Sequence, residues 1–252
     1  MQLTWFDSNS WLIEIGGQRI LLDPWLVDDL VFGNLPWLFR GIKTSKRDIP
    51  DRIDLILLSQ GLEDHAHPPT LKKLDKSIPV IASPGGAKVA KELGYTKVTP
   101  LQHGQELLLD TVKIKAVIGS PIGPTTLENG YILTDLTDNK SLYYEPHGYH
   151  SPTLKESVPI DVVITPIIDL KIPVLGSVIK GESSALELCQ WLKPQVIIPT
   201  AAGGDISFEG LLISLLKAAG SPEQFRQKLT DNGLDTQVID PQPGQTFTPL
   251  LN

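Results

Sequence analysis

The run Asp54-Leu55-Ile56-Leu57-Leu58 constrains this chain most. Four apolar residues follow one charge with no polar alternation. A half-buried strand alternates apolar and polar side chains, whereas a continuous run suits a strand covered on both faces, as in a parallel sheet. The stretch after it is polar: Ser59-Gln60-Gly61-Leu62-Glu63-Asp64-His65-Ala66-His67. Sites in α/β proteins are built at the ends of buried strands. This segment is therefore the leading candidate for a functional centre.

The surroundings support a layered α/β arrangement. Helical signals follow at Thr70–Leu74, then a strand at Pro79–Ala82, then a helix over Gly85–Leu93 closed by Gly94. Before the run lie three β-prone stretches, Leu3–Phe6, Trp11–Ile15 and Arg19–Asp23. The pair Gly16-Gly17 between the last two signals a hairpin. Short strands resume at Glu106–Leu109, Val112–Ile118, Gly130–Thr134 and Ser141–Tyr144, and apolar runs at Asp161–Thr165 and Gln195–Ile198. Three helices are expected in the second half. One follows the capping-box spacing Ser184-Ala185-Leu186-Glu187, one covers Phe208–Ala219 after the turn Gly203-Gly204-Asp205 with Asp205 as the expected cap, and one begins at Ser221-Pro222. No repeat or linker marks a boundary, so one domain over 1–252 is expected. Two apolar segments, 24–50 and 167–179, read as insertions. The first is a loop packed on the core or a flap over a pocket.

Charge and composition exclude some functions. The net charge of −7 and the lack of a Lys/Arg run argue against nucleic acid as a partner. No apolar run reaches the roughly 18 residues a membrane span needs. The lone Cys189 rules out an internal disulfide and, with no signal-like start, suggests a cytoplasmic protein. Cys189 lies in an apolar helical stripe and reads as a buried small hydrophobe.

The five histidines are unevenly placed. His65 and His67 adjoin Glu63 and Asp64; His147 and His150 follow Glu145; His103 stands apart in a turn and reads as structural or solvated. Both clusters follow strand-like runs. Imidazole and carboxylate together are typical ligands of zinc, iron or manganese. Asp64, His65, His147, His67 and His150 are the candidate ligands, and Asp64, Glu63 and Glu145 the candidate acid–base groups.

Read in order, the chain resembles the metallo-β-lactamase fold superfamily, in particular the branch of ascorbate-lactonase-like and lipid-phosphodiesterase-like proteins. The resemblance rests on Leu3-Thr4-Trp5-Phe6, Trp11-Leu12-Ile13-Glu14, Ile20-Leu21-Leu22-Asp23-Pro24, Asp54 to Ser59, Asp64-His65, Pro69-Thr70-Leu71, Ser141-Leu142-Tyr143-Tyr144 and Lys193 to Pro199. It covers about residues 2–204. It implies a four-layer αββα sandwich and metal-assisted hydrolysis of an ester, lactone or phosphodiester.

The departures reshape that implication. The family strand ends in His-x-His-x-Asp-His, and here those positions read Gln60, Gly61, Leu62, Glu63, Asp64, His65. Ser120 stands near the place of a third histidine, His147 where a bridging aspartate is usual, and Ala201 where the last histidine falls. One metal site is thereby lost. Asp64, His65 and His147 remain, which is the ligand count of a mononuclear catalytic site. The resemblance also places Asp23 near the pocket, where it could orient a ligand. The expected cofactor is one Zn²⁺, or Fe or Mn, or none. The alternative is a metal-free, non-catalytic binding or scaffold protein of the same fold. The expected partner is a small-molecule substrate or ligand, an apolar one if segments 24–50 and 167–179 line its pocket. A homo-oligomer contact explains those segments equally well.

Overall fold

The computed structural model describes residues 1–122, 126–173, 176–201 and 203–252. They form two compact units. The first takes Met1–Gln102, Gly203–Leu215 and Gln242–Thr248; the second takes the remaining segments. Each unit draws on separated stretches of chain, so neither could be cut out at one linker. That is the physical reason no boundary shows in the composition.

The first unit is built on a seven-stranded sheet. Its order is Thr246–Phe247, Gln2–Asp7, Ser10–Ile15, Gln18–Leu22, Leu55–Leu58, Val80–Ala82, Val98–Pro100. The Gly16-Gly17 hairpin forms: both residues have positive φ, and Ile15 pairs with Gln18. From Gln18–Leu22 onward the pairs are parallel. Leu55–Leu58 lies inside this part and all four side chains are fully buried, as the unbroken apolar run requires. Ile56 and Leu58 face a core with Leu71 of the helix Pro68–Lys73 and Ala87 and Ala90 of the helix Pro84–Glu92. Ser83 caps the second helix by accepting from Gly86 N, so Ser83-Pro84-Gly85-Gly86 is a strand–helix connection and not an anion-binding turn.

Segment 24–50 is more ordered than a loop. Leu30–Val31 and Arg40–Lys43 form a small sheet with Ile206–Glu209. Trp25 is fully buried, and a Cβ on Gly41 would stand 2.7 Å from its ring. Trp37 remains 62% exposed.

The second unit carries a seven-stranded sheet ordered Gln237–Val238, Val196–Ile198, Val162–Ile164, Ser141–Tyr144, Thr126–Asp135, Val112–Ile122, Glu106–Leu109. The helices Glu182–Leu192 and Pro222–Asp231 cover one face, with Leu188, Cys189, Phe225 and Leu229 packed on Tyr143, Val163 and Ile197. Segment 167–179 contributes the strands Asp169–Ile172 and Gly176–Ile179; Val174 and Leu175 of that segment lie outside the described residues.

Three local expectations are corrected. The stretch 208–219 is not one helix. It ends the strand Ile206–Glu209, makes the five-residue helix Leu211–Leu215, and pairs as Lys217–Ala219 with Asp169–Ile172. Gly210 at φ 109 breaks it. Asp205 caps no helix: its carboxylate pairs with Arg47 at 2.6 Å. Ser184 is no cap either. Its helix starts earlier, with Gly181 as N-cap, and its hydroxyl donates to Gly148 O.

Candidate metal centre

In the first unit the chain turns sharply after Leu58. Gly61 makes this possible, because a Cβ there would lie 2.9 Å from the carbonyl carbon and oxygen of Gly85. Asp23, fully buried with φ of 42°, sits beside the turn. Its carboxylate accepts from Ser59 N at 2.7 Å and from Ser59 Oγ at 2.5 Å. The same carboxylate holds His65 Nδ1 at 2.7 Å.

His65 is fully buried. With Nδ1 fixed by Asp23, its Nε2 points to Asp64 Oδ2 at 3.1 Å, and the Asn9 amide stands 3.3 Å away. Burial pushes the imidazole toward its neutral form. The Asp64 and Asp23 charges and hydrogen bonds outweigh that and raise its pKa well above the ordinary value. An imidazole placed where a cation is favoured, with one nitrogen oriented by a carboxylate, has the arrangement of a metal-ligating histidine. Asp64 beside it supplies an anionic oxygen. The residue types and their convergence fit a divalent ion on this side.

The neighbouring positions fit no second ion. Leu62 has no donor atom and is 40% exposed. The Gln60 amide is buried and neither of its polar atoms hydrogen-bonds among the described residues.

His67 serves the helix that follows. It is the N-cap of Pro68–Lys73, its Nδ1 accepting from Thr70 N and lying 3.0 Å from Thr70 Oγ1. Its Nε2 reaches Asp29 O at 3.2 Å. Burial lowers its pKa to about 4. Glu63 accepts from Gly33 N at 3.0 Å.

In the second unit His147 follows the strand Ser141–Tyr144. Glu145, fully buried, accepts from His147 N at 3.1 Å and Tyr149 N at 2.9 Å, which shapes the turn. Gly148 is required there: at φ 76° its Cβ would collide with Lys180 O. His147 Nδ1 lies 3.2 Å from Ser120 Oγ and 3.8 Å from Glu128 Oε2. His150 is engaged at both nitrogens, with Tyr143 Oη at 3.0 Å and Thr165 Oγ1 at 3.4 Å, and burial lowers its pKa to about 3. His103 bonds Glu128 O at 2.9 Å, a structural use. Burial raises the Cys189 thiol to about 12, which leaves it inert.

The structure thus brings Asp64 and His65 together with Asp23, Ser59 and Asn9, and sets His147 with Ser120, Glu128 and Glu145. Sequence reading missed Asn9 and Glu128. Asn9 is buried in the turn between two strands and Glu128 within the strand Thr126–Asp135, and nothing in the local sequence separates them from solvated residues.

The family profile described as the beta-lactamase superfamily domain matches residues 2–201. The chain belongs to the beta-lactamase superfamily. Among relatives in this superfamily, a UPF0173 metal-dependent hydrolase of Methanopyrus kandleri is 24% identical, across 98% of this chain and 99% of the relative. An isothiocyanate hydrolase from Delia radicum gut bacteria superposes with a TM-score of 0.71 at 16% identity, covering 98% of both chains. A metallo hydrolase of Ignicoccus hospitalis gives 0.69 at 18% identity, covering 99% of both. These likenesses establish the metallo-β-lactamase fold expected from the sequence. The chain is a hydrolase-like member of the superfamily, whose metal-dependent hydrolases imply a metal cofactor. No helix among the described residues is long and apolar enough to cross a membrane.

Proposed function

We propose that this protein is a metal-dependent hydrolase with one ion, held by Asp64, His65 and His147, acting on a small-molecule ester, lactone or phosphodiester. The observation that carries the reading is the buried Asp23–His65–Asp64 arrangement. Asp23 fixes Nδ1, so Nε2 and the Asp64 oxygen turn to the same place. Nothing in the core of the sheet demands two carboxylates, one of them fully buried, around one buried imidazole. Such a cluster is costly to desolvate unless a charge is shared there.

A divalent ion, when bound, supplies Lewis-acid polarisation of a substrate oxygen and acidifies water. The chain's own residues do the rest. Asp23 and Ser59 orient His65. Asp64 contributes anionic charge and, 19% exposed at its side chain, is the carboxylate nearest to solvent in this cluster. That position suits it to take a proton during hydrolysis. Glu145 and Glu63 are bound to backbone amides and shape their turns, so the base role passes to Asp64. His67 and His150 hold their nitrogens on neighbouring residues and stay outside the ligand set.

The loss of ligand character at Gln60, Leu62 and Ala201 favours a second reading, a metal-free binding protein of the same fold. Metal analysis separates the two. The chain is expressed with zinc, iron and manganese supplied, and its metal content measured for the wild type, His65→Ala and His147→Ala. Equimolar metal that disappears in both variants supports the proposal. A wild type free of metal refutes it.

A further inference from the structure

We infer that Glu128, acting through Ser120, is a positioning residue that holds the His147 imidazole as its Nδ1–H tautomer and so presents Nε2 as a ligand. This rests on the reading of His147 as a ligand and deepens it.

The direction of the hydrogen bonds carries the argument. A carboxylate only accepts. Ser120 Oγ lies 3.5 Å from Glu128 Oε2, so the hydroxyl proton points to Glu128. With its proton committed, the Ser120 oxygen is left as an acceptor. It lies 3.2 Å from His147 Nδ1, which must then carry the N–H. Glu128 Oε2 lies 3.8 Å from the same nitrogen and favours the same tautomer electrostatically. A neutral imidazole with hydrogen on Nδ1 has its lone pair on Nε2.

The two polar groups are well placed to enforce this. Ser120 and Glu128 are 4% and 3% exposed, so water competes weakly for their hydrogen bonds. Glu128 lies on the strand Thr126–Asp135 and Ser120 on the strand Val112–Ile122, which pair with each other. A Cβ on Gly119 would lie 2.9–3.0 Å from the backbone of residues 128–130, so the strands approach closely there. His147 is anchored from the other side, its carbonyl accepting from Lys180 N at 2.8 Å.

The same device appears within the first unit. There Asp23, Ser59 and His65 form a carboxylate–serine–imidazole set on Nδ1, with 2.5 Å from Ser59 Oγ to Asp23 and 3.2 Å from Ser59 Oγ to His65. A carboxylate and a serine hydroxyl thus converge on Nδ1 of each proposed histidine ligand. In the second unit the serine stands between the other two groups, and the direct contact is the longer one. Histidine ligands generally owe their orientation to such partners, whose loss weakens metal binding about 10–100-fold.

The test uses two readouts on the full chain. In metal-free, ¹⁵N-histidine-labelled protein, long-range proton–nitrogen correlations assign the tautomer of each ring. His147 is expected as Nδ1–H in the wild type, and as a mixture or the opposite tautomer in Ser120→Ala and Glu128→Met. In the second readout Co²⁺ is added and its visible spectrum and affinity are measured against a chelator. Both variants are expected to bind about 10–100-fold more weakly with an altered spectrum. Ser120→Ala removes only one hydroxyl, so it carries the test if Glu128→Met does not fold. A wild-type His147 in the Nε2–H tautomer, or tautomer and affinity unchanged in the variants, overturns the inference alone. A wild type that binds no Co²⁺ overturns the ligand reading, and the inference with it.

Discussion

His67 should make this protein acid-sensitive. Its imidazole is 1% exposed and caps the helix Pro68–Lys73 by accepting at Nδ1, while Nε2–H donates to Asp29 O. Only the neutral Nε2–H tautomer satisfies both contacts. Protonation would turn Nδ1 into a donor facing the Thr70 amide N–H, and would charge a buried ring. Burial accordingly lowers the pKa from 6.5 to about 4. Above pH 6.5 His67 is neutral in both folded and unfolded chains and leaves stability independent of pH. As pH falls from 6.5 to 4, the unfolded chain binds a proton that the folded chain refuses, so stability is lost. At about 1.4 kcal/mol per pH unit, the loss reaches about 2 kcal/mol at pH 5 and about 3 kcal/mol below pH 4. His67→Asn keeps a good capping side chain and removes the titration. Urea unfolding of both proteins at pH 7 and pH 5, with chelator present, isolates the term. The wild type should lose about 2 kcal/mol more than the variant over that interval. Equal losses would refute the reasoning.

Two further perturbations probe the frame around the site. Asp7 is fully buried and receives Lys43 Nζ at 2.9 Å and Arg47 Nε at 3.1 Å, both cations being under 10% exposed. Asp7→Ala strands them and should cost about 3–5 kcal/mol by chemical denaturation; a loss below about 1 kcal/mol would mean that Asp205 and water replace the partner. Gly61→Ala drives a methyl into the Gly85 carbonyl. It should cost about 1–3 kcal/mol and reduce metal uptake together with stability, and an unchanged melting temperature would contradict the close approach.

The sheets were legible because their signals are local. Leu55–Leu58 has no polar residue to spare for solvent, and Gly16-Gly17 turns between two β-prone runs. The ordered order of pieces from Leu3 to Pro199 was enough to indicate the superfamily. Residues 208–219 misled because Phe208, Leu211, Leu212 and Leu215 have helical spacing, while Gly210 and the neighbouring strands break the segment. Ser184 misled because its hydroxyl finds a distant carbonyl instead of its own helix. In the site, the loss of ligands at Gln60 and Leu62 could be read directly from residue types. The roles of His67, Glu145 and Glu128 could not, since each depends on which backbone amide or hydroxyl comes within 3 or 4 Å after folding. Asp23 was placed near the site only by resemblance. The structure gives the physical account, one carboxylate bonding a backbone amide, a hydroxyl and an imidazole.

The way the first unit is threaded has a bearing on the order of events during synthesis. Gln2–Asp7 pairs on its outer side with Thr246–Phe247, and the hydroxyls of Thr4 and Thr246 meet at 2.7 Å across 242 residues of chain. Arg40–Lys43 likewise waits for Ile206–Glu209. As the chain leaves the ribosome, the strand Gln2–Asp7 therefore presents an open edge until Thr246–Phe247 has been made. Open edges invite pairing with other nascent chains. A chain stopped after Gln102 would lack both Ile206–Glu209 and Thr246–Phe247 and keep those edges open.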